Sequence, residues 1–129
     1  TGRERISAED EAVLAIRVQK YADIDARNCL VMANIGLVHL VANQFSRPTV
    51  RYEDLVQEGT MGLIRATETF EPGRGVRFST YSVYWIRAKI QRLLQKLEKD
   101  KDTSYAQISL TNQNSYFIKY SNQNYPIIS

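Results

Sequence analysis

Apolar residues recur at steps of three and four along most of the first hundred positions, the period of a helix with one buried stripe rather than of a strand. Ser7-Ala8-Glu9-Asp10 offers a hydroxyl to an early amide and acids to a helix N-terminus. A first helix is therefore predicted from Ala8 to about Ala22, with Leu14, Val18 and Tyr21 on one side. Asp25 is placed to cap a second, whose Ala26, Leu30, Ala33, Leu37, Val38, Val41 and Phe45 share a face and which Pro48 ends. A third is predicted from about Tyr52 to Phe70, burying Val56, Gly59, Leu63, Ala66 and Phe70. Gly59 and Gly62 each weaken that helix by about 1 kcal/mol, so they point to a close helix crossing. Glu71-Pro72-Gly73-Arg74-Gly75 is a turn by composition, and Ser79 is placed to cap a fourth helix reaching about Leu97. No strand-like alternation and no repeat precedes residue 100. The expected fold class is all-α: a compact bundle of about four helices with short connections. Residues 98–129 are rich in Asn, Gln, Ser and Tyr and lack a helical period. Such a composition buries too little apolar surface to offset chain entropy, so a disordered C-terminal tail is predicted, with Tyr116-Phe117-Ile118 its stickiest point.

Composition narrows the function classes. With 129 residues, 43% hydrophobic and 24% charged, the chain has the make-up of one globular domain or slightly more. It begins at Thr1 without a methionine, as a fragment or a processed product does. No apolar run approaches the roughly 18 residues that span a bilayer, so no membrane partner is expected. The single cysteine, Cys29, excludes an internal disulfide and a cysteine-based metal site, and its place on an apolar run predicts burial. The single histidine, His39, forms no ligand pair and is expected at the surface or half-buried. The carboxylates accompany no nucleophile or metal-ligand constellation, so no enzyme, cofactor, metal or small-molecule substrate is expected.

The net charge of +3 says less than its distribution. Tyr52 to Glu71 carries five acids (Glu53, Asp54, Glu58, Glu68, Glu71) and one base, Arg65. Arg74 to Lys96 carries six bases and no acid. Adjacent helices of opposite sign suggest two partners, one basic and one polyanionic. On the fourth helix, Val83, Ile86, Ile90, Leu93 and Leu97 form the predicted core stripe. Tyr81, Tyr84, Ala88, Gln91 and Gln95 fall opposite, with Trp85 and Arg92 at the edge and Arg87 and Lys89 on the flanks. Outward rings among cations suit single-stranded nucleic acid, in which each stacked base contributes roughly 1–3 kcal/mol while cations hold phosphates. From helix geometry alone, such a helix is more often a solvated face or a surface that packs against another domain.

The residues themselves carry a resemblance. "ARNCLVMANIGLVHLVANQF" and "YEDLVQEGTMGLIRATETFEPGRGVRFSTYSVYWIRAKIQRLL" resemble, in order and spacing, the second conserved region of primary-type bacterial and plastid RNA polymerase sigma factors. "ISAEDEAVLAIRVQKY" is similar to the end of the preceding region, so the expected organisation is 1–25 for that end, 26–97 for the second region and 98–129 for the tail. The resemblance implies a transcription initiation subunit with two jobs. The first is docking on the clamp helices of the polymerase β′ subunit, carried over to Asp54, Gln57, Glu58 and Thr60 with Ile64 beside them. Thr60 stands where the family often has Asn. The second is opening the promoter minus-ten element by capturing a flipped non-template base. The pocket residues that carry over are Phe70, Glu71, Arg74, Val76, Phe78, Ser79, Thr80, Tyr81 and Arg87, with Arg77 among the bases of the same edge. Val76 replaces a usual aromatic. Asn34 and Leu37 match residues near a second captured base, and Tyr84-Trp85 matches an upstream wedge that is usually two tryptophans. Ala88 replaces a duplex-reading Gln, and Gln91, further along the helix, is the substitute the chain offers.

The implied location is the bacterial cytoplasm or nucleoid, or the plastid stroma if a eukaryote encodes the chain. After Lys96 the chain departs from the family, which continues into a third region and a helix-turn-helix that reads the minus-thirty-five element. Ala88, Val76 and that departure keep an alternative open: a degenerate paralogue that occupies the clamp without opening DNA. A general single-strand binder leaves the D-L-V-Q-E-G helix without a purpose.

Overall fold

Ser7 has extended backbone, and its hydroxyl accepts the Asp10 amide at 3.1 Å, which starts α1 (Ala8–Tyr21). Ala22 closes α1 in the left-handed conformation, its amide reaching back to the Arg17 and Val18 carbonyls. The cap of α2 (Ile24–Gln44) is Asp23, not Asp25: the Asp23 carboxylate accepts the Ala26 amide at 3.1 Å. Extended backbone at Asp23 suits a cap, while Asp25 already lies inside the helix. Then follow α3 (Tyr52–Thr69) and α4 (Phe78–Lys101), which runs past the expected end at Leu97. The structure, a computed structural model, describes residues 6–101, and the rest of the expected tail lies outside that range.

These four helices and the absence of strands among the described residues make the fold all-α, as expected. α2 and α3 each pack against the other three helices, and the most extensive contact is between α3 and α4. The core joins Ala15 of α1, Leu30, Val38 and Val41 of α2, Leu55, Leu63 and Ala66 of α3, and Phe78, Ile86 and Ile90 of α4.

Three faces are turned from the expected ones. On α1, Glu11 and Ala15 are buried, Leu14 and Val18 are half-buried, and Tyr21 is 73% exposed because it sits at the helix end beyond its neighbours. On α4 the buried line is Phe78, Ser82, Ile86, Ile90 and Leu94, whereas Val83 and Leu93 are half-buried and Leu97 is exposed. That line can pass through a polar residue, Ser82. Its hydroxyl donates to the Ser79 carbonyl at 3.0 Å, so this small polar residue is buried without an unmet bond and the stripe follows it. On α2, Cys29 is exposed, not buried, because the line through Ala26, Leu30, Val38 and Val41 turns position 29 outward. α2 also corrects the expectation about membrane spans: by length and composition it is apolar enough to cross one. Its Ile, Leu, Val, Met and Ala residues keep its average high, and here it serves as a core helix of the bundle.

Candidate nucleic-acid interface

Both glycines of α3 mark close approaches, as expected. A Cβ on Gly62 would stand 2.5 Å from the Trp85 carbonyl oxygen, and one on Gly59 would stand 2.9 Å from Val38 and 3.2 Å from Ile90. Glycine thus lets the acidic helix lie directly against the aromatic and basic one.

The aromatic residues separate into floor and rim. Phe78 and Phe70 are buried, packed edge to face with ring centroids 5.3 Å apart. Tyr81 leans on Phe70 at 5.5 Å and 44°. Contrary to the outward position expected, Tyr81 is half-buried against the core, and its hydroxyl meets Thr69 Oγ1 at 2.7 Å. The turned stripe explains this: with Phe78 and Ser82 inward, Tyr81 lies on the flank. Tyr84 is 43% exposed, the most open ring of α4. Trp85 is half-buried, with the Arg65 guanidinium 5.7 Å from its ring centroid. Its Nε1 is buried without a protein acceptor.

Between α3 and α4, Gly73 and Gly75 take positive φ values of 89° and 77°, which fold the turn back on itself. Glu71 and Arg74 form an exposed ion pair at 2.7 Å, and Val76 is exposed. The start of α4 is fixed from another helix. Glu11, 5% exposed, accepts the Phe78 amide at 3.1 Å and grips Arg77 through Nε at 3.1 Å and a terminal nitrogen at 3.0 Å. The same Arg77 nitrogen donates to the Ile6 carbonyl at 2.6 Å. Glu11, not Ser79, therefore caps α4. Its carboxylate holds the Arg77 guanidinium above its ordinary range. Glu11 was absent from the sequence-derived candidates; its one signal was its place a turn before Ala15 on the buried line of α1.

The remaining candidates lie on the same side of the bundle or beside it. Ser79 is half-buried and Thr80 exposed; Ala88 and Gln91 are half-buried further along α4. Arg87 donates to Gln44 of α2 at 3.3 Å, while its buried Nε has no protein partner. Asn34 is occupied locally, its amide donating to the Leu30 carbonyl at 2.9 Å, and Leu37 is half-buried on α2, which packs against α4.

The acidic candidates occupy a different surface. Asp54, Gln57 and Glu58 share one face of α3, and Thr60 and Ile64 lie on its flank. Arg51 binds Asp54 through two bonds of 3.2 and 3.0 Å and holds its carboxyl below the usual range. Gln57 is exposed, Glu58 half-buried, and the Thr60 hydroxyl donates to the Val56 carbonyl at 2.7 Å. Met61, 53% exposed, sits on the same face and was not among the sequence candidates, although its step from Gln57 and Glu58 places it there.

With this geometry in place, comparison with known proteins is informative. The Sigma-70 region 2 family matches residues 30–99, more than half of the chain. RNA polymerase sigma factor RpoS of Coxiella burnetii is 40% identical over 89 residues, which is 69% of this chain and 25% of that protein. RNA polymerase sigma factor SigA of a Bacillus species is 42% identical over 89 residues, covering 23% of its length. SigA of Listeria monocytogenes is 39% identical over 89 residues and 24% of its length. The chain thus spans about a quarter of the curated relatives it matches. On the match over residues 30–99 and these identities, the chain belongs to the Sigma-70 region 2 family.

Proposed function

We propose that this chain is the polymerase-docking and promoter-opening part of a sigma-type transcription initiation factor. One observation carries the reading: α3 and α4, packed at Gly62, join a face bearing Asp54, Gln57 and Glu58 to an edge bearing Tyr81, Tyr84 and Trp85 with bases on both sides. A single rigid pair of helices then holds a basic protein surface and a displaced DNA strand at once. The relatives' designation as RNA polymerase sigma factors supports the same partners, core polymerase and promoter DNA. In this reading Asp54, Gln57, Glu58, Thr60 and Ile64 meet the β′ clamp helices. Glu71, Arg74, Val76, Ser79, Thr80, Tyr81 and Arg87 surround a captured non-template base above the Phe70–Phe78 floor. Tyr84 and Trp85 wedge the upstream fork, and Asn34 and Leu37 receive a second base. Extruding a base costs a few kcal/mol, which stacking on the rings and contacts to base edges offset. The compartment is that of the polymerase, bacterial or plastid.

Ala88, which offers no hydrogen bond to a base edge, and Arg77, held by Glu11, favour a second reading: a paralogue that occupies the clamp without opening DNA. Permanganate footprinting of a minus-ten promoter with core polymerase separates the two. Reactive thymines in the element are expected from the first. Capture of the β′ clamp helices with no reactive thymine would establish the second in its place.

A further inference from the structure

The last turn of α3 holds two rings of α4. Arg65 lies over Trp85, and one turn later Thr69 meets the Tyr81 hydroxyl with 2.7 Å between oxygens. Counting protons gives the direction of that second bond. A threonine hydroxyl has one hydrogen and two acceptor sites. Thr69 donates its hydrogen to the Arg65 carbonyl, one turn back, at 3.1 Å. None is left for Tyr81, so the phenol donates and Thr69 accepts. The chain of bonds runs from the Tyr81 hydroxyl to Thr69 Oγ1 and from the Thr69 hydroxyl to the Arg65 carbonyl.

The Tyr81 ring is therefore held at two points. Its face rests at 44° on Phe70, which is itself packed edge-on against Phe78, and its tip is tied to α3. Packing alone leaves a half-buried ring free to rock about its long axis and to swing at the tip. The bond to Thr69 removes the swing. A stacking platform that is already oriented spares the ordering cost that a mobile ring meets when a base arrives.

We propose that Thr69 is a positioning residue that sets the angle of the Tyr81 ring and, through it, the recognition of an unstacked base. The inference rests on the reading of Tyr81 as a base-stacking residue. Thr69 itself acts only through the phenol, and nothing in the resemblance assigned it a role.

The test uses the full chain with core polymerase and single-stranded TATAAT oligonucleotides, each with one base replaced by an abasic site. The unaltered chain should lose affinity for at least one abasic strand relative to the intact one. Thr69→Val keeps the shape and removes both bonds, and should shrink that discrimination about fivefold, the size of one hydrogen bond. Thr69→Ser should restore it. Tyr81→Phe should match Thr69→Val, and the double variant should fall within about twofold of either, because both changes break the same bond. Two results overturn the proposal: Thr69→Val weakening every strand alike, or adding its full effect to that of Tyr81→Phe. If Thr69→Val does not fold, unchanged discrimination in Tyr81→Phe overturns it as well. Equal binding of all strands by the unaltered chain would instead remove the base-stacking reading, and this inference with it.

Discussion

The outer face of α3 and the leading edge of α4 are held by different kinds of contact. On α3 the ion pairs are local: Arg51 with Asp54 and Arg65 with Glu68, each three residues apart and solvent-exposed. Beyond the local Glu71–Arg74 pair in the preceding turn, the edge of α4 is held from other helices: Glu11 for Arg77 and Phe78, Gln44 for Arg87, Thr69 for Tyr81. Exposed local pairs contribute little to stability and yield easily to another charged surface. Contacts between helices, by contrast, fix one edge relative to the whole bundle. The difference fits the proposed roles, a docking face whose ion pairs exchange for those of a partner and a DNA edge held in place beforehand.

Removing what the two surfaces share should disturb both at once. Gly62→Val would drive a side chain into the Trp85 carbonyl, which belongs to backbone and cannot swing aside. A loss of about 3 kcal/mol or more is expected in urea unfolding, with both binding activities lost together. Glu11→Ala should separate them. Without its carboxylate the Phe78 amide and Arg77 lose their partner, and about 1–2 kcal/mol of stability is expected to go, the range for a helix cap. Oligonucleotide binding should fall while β′ clamp binding persists, measured side by side on the same preparation.

Smaller effects sharpen the contrast. Tyr81→Ala should cripple open-complex formation yet leave polymerase association intact; loss of association would make the ring purely structural. Glu58→Lys reverses one charge of the α3 face and should weaken β′ association alone, in a pull-down at low salt where surface charges are least screened. The smallest effect concerns Asp54. Its carboxyl is lowered by the hydrogen bond and charge of Arg51, so the pair is intact at neutral pH and its contribution disappears as pH falls through that lowered value. Arg51→Ala should return the Asp54 titration, followed by NMR, toward the ordinary aspartate range with no marked change in thermal stability.

The same distinction separates the features legible in the amino-acid sequence from those that are not. Ser7 as a cap, the four helices, the turn at 71–75 and the close approach at Gly59 and Gly62 all depend on neighbours in sequence or on helix period, and the structure has them. Two acids flank the start of α2, and only backbone conformation selects Asp23 over Asp25 as its cap. The buried line of α4 differs from the stripe that its apolar residues alone suggest, because it passes through Ser82, a polar residue whose bond to its own helix lets it be buried. Glu11 and Thr69 were invisible for a deeper reason. Their partners lie 67 and 12 residues away, and no periodicity within one helix indicates which side chain from another will meet it. The residues proposed to contact polymerase and DNA are legible through the family resemblance of their motifs, because helix period alone assigns a residue a face and not a partner.

On the proposed reading, this edge recognises a specific single strand when held on polymerase. The most direct measurement is equilibrium binding, with core polymerase present, of a single-stranded TATAAT oligonucleotide against a scrambled strand of the same composition. A preference of about tenfold or more is predicted, since each wrong base in a specific site typically costs about 1–3 kcal/mol. Equal affinity for both strands would contradict it.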